Sequence, residues 1–117
     1  MSVNYSAVML YGYKLTSEEV EKIGIEKLYE MQEKYANEPY PCGIIRSNDY
    51  SDQYNEWYVG RWLEDSPAEY YTEDFVNTAI RSTDFINGMM DEIFGKGYVA
   101  SFDGDAFPAW HLFVRCW

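Results

Sequence analysis

The chain has 117 residues, 47% hydrophobic and 19% aromatic, with a formal net charge of −11. Its length holds a single domain, 1–117, around one core, and its apolar content excludes a disordered acidic tail. The charge excludes direct binding to nucleic acid or to an anionic membrane, since phosphates would be repelled.

Residues 3–15 alternate as a β-strand, and both sets contain apolar side chains, so a central strand is predicted. Thr16-Ser17-Glu18-Glu19 is a capping box that opens a helix over 17–36. The apolar stripe of that helix is Val20, Ile23, Leu28, Met31 and Tyr35, with Gly24 interrupting it as a point of close approach to the sheet. Pro39 and Pro41 stop the helix. Segments 42–47 and 56–64 read as two strands of a hairpin, with 48–55 as its polar tip. Ser66-Pro67-Ala68-Glu69 signals a short turn, followed by a long helix over roughly 73–94. Its stripe is Phe75, Val76, Ala79, Ile80, Thr83, Ile86, Met90 and Ile93, and Asn87-Gly88 is its weak point. After Gly95-Lys96-Gly97, strands at 98–102 and 109–117 flank an Asp-Gly turn. The order β-α-β-β-α-β-β predicts an α+β fold: an antiparallel sheet with two helices on one face, a ferredoxin-like variant with one added strand.

The charge is uneven. Residues 47–105 carry thirteen acids against three bases, and residues 1–46 carry seven against five. Within 47–74 lie Asp49, Asp52, Glu56, Glu64, Asp65, Glu69, Glu73 and Asp74, with Arg61 as the sole base. Tyr50, Tyr54, Tyr58, Tyr70, Tyr71, Trp57 and Trp62 are threaded among them. Carboxylates held on a rigid strand and helix start can imitate phosphate spacing, and aromatics are over-represented at binding hot spots. The eight carboxylates are therefore the expected partner-binding groups, with Tyr50, Tyr54 and Tyr58 as anchors. Alternation along 56–64 buries some aromatics, so Trp57, Tyr58 and Trp62 cannot all be contact residues.

Catalytic and metal signatures are sparse. His111 is the only histidine, and as a general base it would need Cys42 or Cys116 beside it. Asp103-Gly104-Asp105 lacks the twelfth-position glutamate of a calcium loop, because Val114 stands there. No phosphate loop, nucleophile elbow or zinc motif occurs, and Met89-Met90 fits a core. No catalytic residue, metal or cofactor is expected. The two cysteines have no CxxC spacing, and the N-terminus lacks a signal-peptide pattern, so reduced thiols in the cytoplasm are expected.

The opening, MSVNYSAVMLYGYKLTSEEVEKI, resembles the small proteins of bacteriophages and prophages. The acidic, tyrosine-rich body resembles phage-encoded inhibitors of host defence, including anti-CRISPR proteins that act as DNA mimics. That resemblance implies a non-enzymatic inhibitor, in the bacterial host cytoplasm, that occupies the basic DNA-binding surface of an effector nuclease such as a CRISPR effector. It carries over no residue roles. A toxin-immunity protein, a phage structural or assembly protein that self-associates (as a homodimer, for example), and a small enzyme using His111 are the alternative readings.

Overall fold

Among the described residues the strands and α-helices are β1 (Tyr5–Lys14), α1 (Ser17–Ile23), α2 (Ile25–Gln32), β2 (Cys42–Arg46), β3 (Trp57–Glu64), α3 (Glu73–Arg81), α4 (Thr83–Phe94) and β4 (Ala109–Cys116). They are seen in a computed structural model that describes residues 5–32, 40–48, 55–64, 73–101 and 108–116. The strands form one antiparallel sheet in the order β2-β3-β1-β4, and the fold is α+β. β1 is central, as its two-sided apolar pattern requires.

Both predicted helices are interrupted. The first ends at Gly24, whose φ of +88° stops α1 and starts α2. Nothing lies within 4 Å of a Cβ placed there, so backbone conformation and not close packing explains this glycine. The capping box is present: the Thr16 hydroxyl accepts from the Glu19 N–H, and the Glu19 carboxylate accepts from the Thr16 N–H. The second helix breaks at Ser82 and not at Asn87-Gly88. The Ser82 hydroxyl donates to the Thr78 carbonyl (2.7 Å) and accepts from the Arg61 guanidinium (2.7 Å), which ties the break to β3.

The strand expected at 98–102 is absent among the described residues, where Val99–Ser101 is a 3₁₀ turn. Local bonds explain the difference. The Asp91 carboxylate accepts from the Val99 N–H, Tyr98 stacks on Phe94 at 4.5 Å, and the Tyr98 hydroxyl donates to Glu19. These contacts satisfy the segment against the helices, and no strand partner is needed. The Asp-Gly turn expected after it lies outside the described residues.

The helices share one face of the sheet. There Leu28, Met90, Ile44, Trp57, Val59 and Leu15 form one cluster, while Tyr11 and Tyr13 reach Thr83 and Asn87 through their hydroxyls. The other face is also buried. Val8, Leu10, Ile45, Tyr58, Trp62 and Phe113 form a second cluster there.

That second core exists because the sheet is rolled. Tyr58 pairs with Lys14 and Phe113 with Val8, two strands apart and six residues apart along β1. In a flat sheet that offset alone is about 20 Å. Their rings nevertheless stack at 4.1 Å, coplanar within 1°. The roll brings diagonally opposite corners together: the Cys116 N–H donates to the Ser47 carbonyl at 2.8 Å, and Asn48 bridges Cys116. A row of glycines crosses the sheet where it bends, since Gly60 pairs with both Gly12 and Gly43. Backbones there approach so closely that a Cβ on Gly12 would sit 2.0 Å from the Val59 carbonyl oxygen, and one on Gly60 would sit 2.3 Å from that of Tyr11.

Candidate protein-binding surface

The acidic, aromatic stretch divides by burial. Trp57, Tyr58 and Trp62 are 1%, 3% and 5% exposed, so all three serve the two cores. Tyr58 was an expected anchor. Its ring lies between His111 and Phe113 inside the rolled sheet, so it presents no surface to a partner. Two carboxylates of the stretch are engaged at the ends of that roll. Glu56 accepts from the Tyr58 hydroxyl (2.7 Å) and pairs with Lys14 (3.1 Å). Half-buried Glu64 pairs with Arg115 (2.8 Å) and accepts from Ser6 (2.7 Å). A carboxylate already neutralised within the chain is a poor phosphate mimic.

Glu73 and Asp74 are exposed in the first turn of α3, where acidic groups favour the helix dipole. The Tyr40 hydroxyl donates to Asp74 at 2.6 Å, and Arg61 NH1 donates to the Tyr40 carbonyl, so a buried cation anchors the start of this helix. Asp49, Asp52, Asp65, Glu69, Tyr50 and Tyr54 lie outside the described residues. Sequence reading passed over the acids farther along: Asp84 and Glu92 are exposed on α4, and Glu18, Glu21, Glu26 and Glu30 on α1 and α2. The signal for them was the polar side of each helical stripe. Among the described residues, exposed carboxylates thus lie mainly on the helices.

His111 and the cysteines do not meet. In the register, Cys42 and Cys116 share the helix-bearing face, whereas His111 points to the other. No nucleophile–base pair forms, and His111 instead contacts the Gly12 carbonyl and the Tyr58 ring. Among the described residues no cluster of three or more His, Cys, Asp or Glu is arranged to hold a metal. None of the described helices is long and apolar enough to cross a membrane.

The chain matches no family model, no curated protein and no solved structure.

Burial pushes the Cys42 thiol up to about 11, with Arg61 pulling it back only in part. Alkylation of the native protein at mildly alkaline pH will therefore modify Cys116 and spare Cys42 until denaturant is added, as mass spectrometry of the two peptides can show.

The top of the roll sets an acid limit on stability. Hydrogen bonding from Tyr58, and then Lys14, holds Glu56 below its usual 4.5, while burial holds His111 below its usual 6.5. Both folded-state values are depressed, so both contributions are complete above the unfolded values and are lost as pH falls through the folded ones. Melting temperature should fall in two limbs, one starting near 6.5 from His111 and one near 4.5 from Glu56. His111→Gln should flatten the first limb and Glu56→Gln the second. A melting temperature flat from neutral pH down to 4.5 would contradict the assignment of His111.

Proposed function

We propose that this chain is a non-enzymatic, cytoplasmic inhibitor whose acidic helix layer occupies the basic nucleic-acid-binding surface of a nuclease, such as a CRISPR effector. The observation that carries this reading is the start of α3, where Glu73 and Asp74 are exposed on a helix fixed from beneath by Tyr40 and Arg61. Asp84 and Glu92 add exposed carboxylates on α4. Rigid carboxylates at helical spacing match a cationic groove built for phosphates without paying the conformational entropy of a disordered acidic tail. Steered association and a steep loss of affinity with salt should follow.

The test is a pull-down from host lysate at low and high salt, followed by a cleavage assay with the captured nuclease. Wild type should release its partner in high salt and block cleavage. Glu73→Lys with Asp74→Lys and Asp84→Lys should lose inhibition while keeping the wild-type circular dichroism. Undiminished inhibition by that folded triple variant would overturn the proposal.

A further inference from the structure

We infer that a second copy of this chain pairs with the outer edge of β4, so that two sheets continue into one across a twofold axis near Leu112. The hydrogen-bond alternation of the sheet decides which groups point outward. Leu15 N–H donates to the Trp57 carbonyl, so the odd residues of β1 face β3 and the even ones face β4. Through the pairs Val8–Phe113 and Leu10–His111, the odd residues of β4 are spent on β1. The N–H and C=O groups of Trp110, Leu112 and Val114 therefore point away from the sheet, in the same direction as the Cys116 N–H that reaches Ser47. On that side the three have no hydrogen-bond partner among the described residues. An edge of this length without a bulge is a ready template for another strand.

The side chains beside that edge are apolar and uncovered. Tyr5, Leu112, Val114 and Trp110 are 69%, 68%, 62% and 38% exposed, and Ala7 lies among them. They share the helix-bearing face at its β1–β4 side. The strip amounts to on the order of 500 Å², at the upper end of what a soluble monomer exposes. With the strand edge included, it approaches the roughly 800 Å² per partner of a standard interface.

Charge selects the occupant. The chain carries 20 acids, yet β1 and β4 carry none. Their cations Lys14 and Arg115 are already paired with Glu56 and Glu64. A basic partner finds no carboxylate on this strip, and a second copy meets no repulsion there. Antiparallel pairing about Leu112 sets Leu112 against its own counterpart and Trp110 against Val114, apolar against apolar at each position.

Sedimentation equilibrium of the full chain over micromolar concentrations, in low and high salt, tests this. A dimer should form and persist in high salt, conditions that would release a basic partner, so failure here is distinguishable from failure of the proposed inhibition. Leu112→Lys and Val114→Lys, each at an exposed position, should each abolish the dimer and leave the melting curve of a folded monomer. Hydrogen exchange gives a readout without mutation: the amides of Leu112 and Val114 should gain protection as concentration rises, while that of Phe113 is protected throughout. A monomer at every concentration, or a dimer unchanged by both lysine variants, or concentration-independent exchange at Leu112 and Val114, would overturn the inference.

Discussion

Gly12→Val should fail to fold, and Gly12→Ala should lose about 3 kcal/mol or more, because an added methyl meets backbone that no rotamer change can move. The Cβ would fall 2.0 Å from the Val59 carbonyl oxygen and 2.6 Å from the Gly60 Cα, on the neighbouring strand. Relief would require β1 and β3 to separate at the bend, which would undo the stack of Tyr58 on Phe113 and open the inner core. A domain of this size has about 5–15 kcal/mol in all, so the alanine variant should melt far below wild type and the valine variant should be insoluble. Gly88→Ala is the matched control. Gly88 is exposed within α4 with nothing within 4 Å of its missing Cβ, so alanine there should stabilise by about 0.5–1 kcal/mol. Urea unfolding of the three proteins measures both signs at once. If Gly12→Ala were as stable as wild type, the sheet would not be rolled as described.

Arg61→Leu should cost about 3 kcal/mol, although leucine matches the hydrophobicity of its surroundings. Arg61 is 7% exposed in the core beneath the helices, donating to Ser82 where α3 gives way to α4 and to the Tyr40 carbonyl. Its removal strips the Tyr40 carbonyl of a charged donor and takes from the Ser82 hydroxyl the donor that ties it to β3, leaving its bond to the Thr78 carbonyl. Arg61→Lys keeps the charge without the forked geometry and should fall between the two. Because Arg61 also lowers the Cys42 thiol, Arg61→Leu should make that thiol still less reactive as long as the protein stays folded. The start of α3 should loosen with it. Under the proposed reading, inhibition of a nuclease should therefore weaken in Arg61→Leu although no surface carboxylate has changed.

The features the sequence made legible were those set by short-range chemistry. The capping box at Thr16, the alternation of β1 and the helical stripe containing Phe75, Ala79, Ile86 and Met90 each depend on neighbours within a few positions, and each is present. Ile80, on the same predicted stripe, is 49% exposed, because helical geometry sets it roughly 140° round α3 from buried Phe75. The expected fifth strand failed for a related reason. Residues 98–102 have strand-like composition, but the Asp91 and Glu19 carboxylates that capture them come from helices, one of them 79 positions away. The acidic stretch was legible as composition but not as surface. Nothing local in EWYVGRWLE marks Glu56 and Glu64 as engaged, since their partners Lys14 and Arg115 arrive only through the register. The bare β1–β4 strip left a faint mark, in apolar residues on both faces of AWHLFV where one polar face was due.

The place of β1 in the sheet also governs how the chain reaches its fold. β1 comes first among the described strands yet lies between β3 and β4, which follow about half a chain and nearly a whole chain later, with Tyr5 paired to Cys116. Contacts so distant in sequence form slowly, because large loops must close before any pairing repays the lost entropy. During that interval Val8, Leu10, Met9 and Tyr11 have no sheet to join and are open to other chains. A charge of −11 keeps unfolded copies apart in solution for as long as that search lasts. The acidity of this chain therefore has a kinetic use at its own synthesis, before any partner is met.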